Sequence, residues 1–247
     1  MIEIIKKIKL NLCILKNILK LTDKKIKIIF YSESKYYQQC SETLIRFFAK
    51  KYPEQVYYVS SDFDDKIEDS DINNLFIGNG LLMNFFFSII KAEYFFLTLT
   101  DLDNHSLKKS KKIDNYIYYF HSGGSTFQGY TESSFDNYDI ILCNGQFHID
   151  EIRFRENKKK LPHKKLILTG FFYFDEIRKK INFNQNAEEI LIAPSWNYEC
   201  KDYINNNFID IIEELLIKNH KVTFRPHPEH YKRSKNTLKI IKNKFNT

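Results

Sequence analysis

The chain has 247 residues, 43% apolar and 28% charged, with 7 Gly and 5 Pro, which excludes a disordered or collagen-like polymer and leaves room for one large domain or two small ones. No run of 18 uncharged apolar residues occurs and lysines are spread through the first twenty positions, so neither a membrane span nor a secretory leader is expected. The net charge of +7 is terminal: residues 1–25 hold seven Lys against Glu3 and Asp23 (+5), residues 218–247 hold nine Lys or Arg against Glu229 (+8), and the middle is −6. A nucleic-acid partner would require a basic stripe interleaved with aromatics across the folded body, so none is expected. Cys13, Cys40, Cys143 and Cys200 are widely spaced with no C-x-x-C pair, which speaks against a metal ribbon and a disulfide framework.

Residues 1–22 form the first predicted element, a basic amphipathic helix. Ile4, Ile8, Cys13 (or Leu12), Leu15 and Leu19 fall near one face, with Lys6, Lys9, Lys16 and Lys20 largely elsewhere. Such a helix either lies on an anionic membrane or packs on its own domain. Strands follow at Lys25–Tyr31, Val56–Ser60, Asn74–Ile77, Tyr94–Leu99, Tyr116–Phe120, Asp139–Cys143 and Lys165–Thr169. Helical periods cover Lys35–Lys51, Leu81–Ile90 and Gln146–Asn157. The polar, Asn-rich stretch at 181–188 reads as a linker. Beyond it come strand Glu189–Ala193, helix Tyr203–Lys218, strand Lys221–Arg225 and helix Tyr231–Lys244. Alternating strands and helices predict parallel sheets in βαβ units, so the expected class is α/β with two Rossmann-like lobes, 23–180 and 189–247. The second has too few elements to cover both faces of a sheet, and is expected to be incomplete.

Sites in open α/β sheets gather beyond the carboxyl ends of strands, which selects three segments. After the fifth strand stands His121-Ser122-Gly123-Gly124-Ser125-Thr126. Its glycines let backbone N–H groups approach an anion, its hydroxyls add donors, and the imidazole can take a proton from an attacking hydroxyl. A turn in which His121 only caps the strand fits the same residues. After the last strand comes Arg225-Pro226-His227-Pro228, where two prolines fix the backbone around one imidazole and Arg225 supplies a permanent cation suited to a diphosphate. His227 and His230 have no third partner at metal-ligand spacing, so no metal site is expected. The third segment, Ala193-Pro194-Ser195-Trp196-Asn197, offers Ser195 and Asn197 to a phosphate or a base; a packing Trp in a turn is the plain alternative. Gly78-Asn79-Gly80 reads as turn chemistry.

At these residues the sequence resembles the CDP-glycerol glycerophosphotransferase family, the teichoic-acid polymerases and their capsule-associated relatives. The matching stretches are YYFHSGGST, SFDNYDIILCNGQFHIDEIR, KLILTGFFYFDEI, ILIAPSWNY and VTFRPHPEHY, in family order over about residues 115–232. The resemblance implies a glycosyltransferase-B-like fold with an acceptor-side lobe at 23–180 and a nucleotide-donor lobe at 189–247. It implies transfer of glycerol phosphate from CDP-glycerol, or a similar CDP-activated donor, to a hydroxyl of a lipid-linked surface polymer, in teichoic-acid or capsule synthesis. His121 matches the family's base, His227 the histidine that stabilises or protonates the donor diphosphate, and Arg225 the arginine beside it. No cofactor is implied. The place of work would be the cytoplasm, peripherally on the membrane through residues 1–22. The family's first motif often reads H-G-T-P; His121-Ser122-Gly123-Gly124 is closer to the capsule-type form. The family's Ser/Thr-rich loop and later acidic residue would fall beyond Thr247. Two other readings stay open: a nucleotide-sugar glycosyltransferase on the same fold, and a noncatalytic remnant or subunit of a split enzyme.

Overall fold

The computed structural model describes residues 2–23, 25–104, 107–181, 188–195 and 206–245. Trp196 and Asn197 therefore lie outside the described residues. The chain divides into two compact units, 1–181 and 182–247.

The first unit opens with helix α1 (Ile2–Leu21), followed by β1 (Ile26–Ser32), α2 (Lys35–Gln38), α3 (Glu42–Lys51), β2 (Val56–Ser60) and β3 (Ile72–Phe76). Then come α4 (Leu81–Ile89), β4 (Ala92–Leu97), β5 (Ile113–Tyr119), α5 (Thr126–Gly129), β6 (Ile140–Cys143), α6 (Gln146–Lys159), β7 (Lys165–Leu168) and α7 (Phe172–Lys180). The seven strands form one wholly parallel sheet in the order β3-β2-β1-β4-β5-β6-β7. The expected α/β, Rossmann-like class is what this sheet displays.

Both faces of the sheet are buried, and the strands accordingly read as continuous apolar runs rather than alternating ones. Ile29, Tyr31, Phe95, Leu97, Tyr116, Tyr118, Ile141 and Cys143 enter one core layer with Ile14 and Ile18 of α1, Phe86 and Phe87 of α4 and Ile152 of α6. The residues between them, Ile28, Phe30, Phe96, Ile117, Tyr119 and Leu142, enter a second layer with Ile45 and Ala49 of α3. Phe30 and Phe96 stack there at 4.3 Å between ring centroids.

Two expectations are corrected, and one helix is additional to those predicted. The helix predicted over Lys35–Lys51 is two helices, because Cys40 turns inward between them with its Sγ 3.7 Å from the His121 carbonyl. Helix α7 was unread in an aromatic run, FYFDEIRKK, whose early residues carry no clear helical period. In α1 the stripe that packs on the core is Ile14, Ile18 and Leu21; Ile8, Leu12 and Leu19, from the face read in the sequence, point to solvent with Ile5. No helix among the described residues is long and apolar enough to cross a membrane.

The second unit contains β8 (Glu189–Ile192), α8 (Asn206–Ile217), β9 (Lys221–Phe224), α9 (Pro228–Arg233) and α10 (Lys235–Phe245), with β8 and β9 parallel. Its buried apolar residues, among those described, are Ile209, Ile212 and Ile241. The helix predicted over Tyr231–Lys244 is again two. Pro228 at the first helical position starts the first of them early, and Ser234 ends it with its N–H on the His230 carbonyl at 2.8 Å.

Candidate active site at the carboxyl edge of the sheet

The strand order reverses between β1 and β4, and a crevice of about 510 Å³ opens beyond their carboxyl ends, where such sheets place ligands. It is walled by Glu33 after β1, Thr98 and Thr100 after β4, and the loop from His121 to Tyr130 after β5. The first predicted segment thus stands at the switch point. Glu33 and the two threonines were not picked from the sequence, because only the strand order brings the ends of β1, β4 and β5 together. Their signal was there: polar residues directly follow each apolar strand.

His121 is half-buried, with the Tyr37 ring perpendicular to it at 5.0 Å. Its Nδ1 is closed off from solvent without a hydrogen-bond partner, which leaves Nε2 as the nitrogen a ligand can reach. Burial holds its pKa below the ordinary histidine value, so the ring is neutral at pH 7.

The loop after His121 departs from the expected anion cradle. The carboxylate of Glu151, on α6, accepts hydrogen bonds from the Ser125 hydroxyl, the Thr126 N–H and the Thr126 hydroxyl, each at 2.6 Å. Ser125 also caps α5, accepting from the Phe127 N–H. Ser125 and Thr126 are therefore spent on an anion belonging to the chain itself, and these hydrogen bonds hold the Glu151 pKa below the usual carboxylate range. Ser122, Gly123 and Gly124 remain exposed. Neither glycine has positive φ, and a Cβ on either would meet only ordinary contacts at 3.6 Å or more. The chain's own packing does not demand glycine there, whereas close approach by a ligand would.

Two more side chains of α6 brace the loop. His148, fully buried and stacked on Phe120 at 3.8 Å, accepts the Asn144 N–H at Nδ1 (3.2 Å). Its proton is therefore on Nε2, which donates to the Gly124 carbonyl at 2.9 Å. Arg155 donates to the carbonyls of Thr126 (2.6 Å), Tyr130 and Thr131. His148, Glu151 and Arg155 share one helix face, a polar stripe at i, i+3 and i+7 that the sequence displayed and that went unread.

Both imidazoles, half-buried His121 and fully buried His148, have pKa values depressed chiefly by desolvation. Below about pH 6.5 the unfolded chain takes up protons that the folded chain refuses, so the stability present above that pH is lost as pH falls toward the folded values. The midpoint of thermal unfolding, followed by circular dichroism, is expected to drop between pH 7 and pH 5. His148→Asn is expected to flatten that slope by up to about 1.4 kcal/mol per pH unit.

In the second unit, the two remaining segments meet at one edge of the β8–β9 pair. The Arg225 N–H donates to the Ile192 carbonyl at 2.9 Å, and Arg225 and Ser195 are both exposed. His227 is the N-cap of α9, its Nδ1 accepting the Glu229 N–H at 3.2 Å. This assigns its proton to Nε2, so the ring is a hydrogen-bond donor on that side. His230, 2% exposed, donates from Nε2 to the Ser195 carbonyl at 2.9 Å and so ties the two strand ends together. It is a structural group rather than a ligand.

No protein-family model matches the chain, and no curated protein sequence matches it. Solved structures do. A histidine-to-asparagine variant of the wall teichoic acid polymerase TagF aligns with a TM-score of 0.51 at 14% identity, over 90% of this chain and 65% of that one. The same variant soaked with CDPG for 30 minutes gives a TM-score of 0.49 at 16% identity, over 91% of this chain and 65% of that chain. At such identity the likeness establishes a shared fold. The chain spans 65% of the length of these structures.

Proposed function

We propose that the chain is a transferase of the glycerophosphotransferase type, moving glycerol phosphate from CDP-glycerol to a hydroxyl of a lipid-linked polymer in surface-polymer synthesis. The observation that carries this reading is His121, a neutral imidazole at the switch-point crevice with glycines exposed beside it. The shared fold with TagF and the sequence stretches quoted above support it.

In this reading His121 Nε2 takes the proton of the acceptor hydroxyl as its oxygen attacks the β-phosphorus of the donor. A bond forms from the acceptor oxygen to that phosphorus, the bond from the phosphorus to the bridging oxygen breaks, and CMP leaves with the electron pair. Arg225 offsets the charge growing on the diphosphate, and the Nε2–H of His227 donates to it. Ser122, Gly123 and Gly124 serve the acceptor side in this reading, and Ser195 the donor side. Work at an anionic membrane face belongs to the same proposal: Ile5, Ile8, Leu12 and Leu19 of α1 are exposed and flanked by exposed Lys9 and Lys16.

The test is calorimetric titration with CDP-glycerol of the whole chain and of His227→Asn. Asparagine keeps an acceptor for the Glu229 N–H, so the helix cap survives while the imidazole is lost. Affinity is expected to fall at least tenfold, about the value of one hydrogen bond to a charged group. Binding unchanged in the variant would remove the donor from this loop.

A further inference from the structure

We infer that a slot in the second core layer of the first unit binds the hydrocarbon chain of an anionic single-chain amphiphile, of the fatty-acid class, with its head group at Lys165.

The slot follows from the topology. Helices α4 and α6 pack on the first layer, so among the described residues the helices left to cover the second are α3 and, through Phe172, α7. Between them a space of about 350 Å³ remains, within the range of ligand pockets. Along its floor runs one row of side chains in register across four strands. Phe96 of β4 lies beside Ile117 of β5, Ile117 beside Ile140 of β6, and Ile140 beside Lys165 of β7. Phe48 and Tyr52 form the wall on the α3 side.

Shape and charge decide the occupant. Phe96 and Ile117 are each only 4% exposed, so the space is a narrow slot and not an open face. A helix about 10 Å across does not enter it, and an interface between two chains needs about 800 Å² on each partner. A slender hydrocarbon chain does enter, and each methylene that leaves water for the slot favours binding.

The two ends of the slot differ. Lys165 opens the edge strand β7, is exposed, and among the described residues that line the slot it alone is charged. No carboxylate among the described residues pairs with its ammonium. Asp139, whose carbonyl accepts the Lys165 N–H, has its carboxylate engaged by the Tyr116 N–H at 2.8 Å and by Lys109 at 3.8 Å. Lys51, 5.6 Å from the Tyr52 ring centroid, adds a second cation on the α3 side. At the carboxyl ends of the strands, Thr169 has its hydroxyl on the Cys143 carbonyl at 3.3 Å and Phe172 is apolar. One cationic mouth on an apolar slot matches a carboxylate on a hydrocarbon tail. This mouth is at the amino ends of the strands, away from His121, and the inference does not rest on the proposed function.

The test titrates the whole chain with octanoate, decanoate and dodecanoate, each below its micelle concentration, and reads the isoleucine methyl signals of 13C-labelled protein. Ile140→Val and Ile167→Val assign the reporters. Saturable movement of the Ile140 and Ile167 signals is expected while those of Ile209, Ile212 and Ile241 in the second unit stay in place. Kd is expected to fall about fourfold for each added methylene. Ile167→Trp fills the slot from the edge strand and is expected to abolish saturation over the same concentrations. If that variant does not fold, judged from the dispersion of the same spectrum, Ile140→Phe takes its place. Lys165→Glu, at an exposed position, is expected to weaken dodecanoate about fivefold, the upper value for an exposed ion pair, and to favour decylamine instead. Absent or uniform movement, affinity independent of chain length, unchanged binding in the filled slot, or wild-type affinity in Lys165→Glu would each overturn the inference. A concentration-dependent dimer that Ile167→Trp disperses would assign the slot to a second copy of the chain and overturn it as well.

Discussion

CMP release from CDP-glycerol in the presence of a glycerol-terminated acceptor is expected to fall by about 10²–10⁴-fold in His121→Asn, the range spanned by loss of one positioned general base. Asparagine approximates the ring's size and retains a hydrogen-bonding edge, but it cannot take a proton. The donor's affinity is expected to be unchanged, because the residues proposed to hold it are in the other unit. The effect therefore belongs in the rate constant rather than in KM for the donor. The wild-type rate should rise with pH as the ring deprotonates and level off above a pKa lower than the ordinary 6.5, since burial depresses it. That rise should vanish in the variant. A loss smaller than tenfold would mean that some other group, Glu33 first, accepts the proton.

Arg155→Leu is expected to destabilise the first unit by about 3 kcal/mol, read as a lower urea midpoint at unchanged m. The guanidinium, 7% exposed, is shared among the carbonyls of Thr126, Tyr130 and Thr131, and it lies 5.3 and 5.8 Å from the Phe127 and Phe135 ring centroids. Leucine keeps the apolar contacts and strands three backbone acceptors, each costing about 1–3 kcal/mol. Relief of the buried charge, which already lowers the pKa of Arg155 and leaves its Nε without a partner, offsets part of that sum. Arg155→Lys retains the charge but cannot divide one ammonium among three carbonyls in a fork, so it too should cost about 2 kcal/mol. A change below 1 kcal/mol in both would mean the loop finds other donors.

Strand positions were legible because a parallel sheet buried on both faces writes each strand as an unbroken apolar run; Val56–Ser60 was located to the residue. Helix limits were less legible. Cys40 and Ser234 interrupt otherwise regular periods through contacts made far along the chain or across a turn, which periodicity does not record. At the site, His121 could be found because a strand tip is a local feature. Glu33 stands at a strand tip too, but nothing local ties it to His121, since it becomes a neighbour only when β4 is inserted beside β1. The roles of Ser125 and Thr126 were misread for a related reason: the same donors serve a phosphate or a carboxylate equally well, and the carboxylate arrives from a helix twenty-five residues on.

That carboxylate also bears on how quickly the crevice can be filled. A loop that waits for its anion must close around each incoming molecule, and the order it gains is charged against every encounter. Here Glu151 has closed the loop already, during folding, so arrival of a ligand and ordering of its receptor are separate events. Association should then be governed by diffusion and orientation rather than by a conformational step. Hydrogen exchange at the Thr126 amide, which Glu151 accepts, should be equally slow with the crevice empty and with it full.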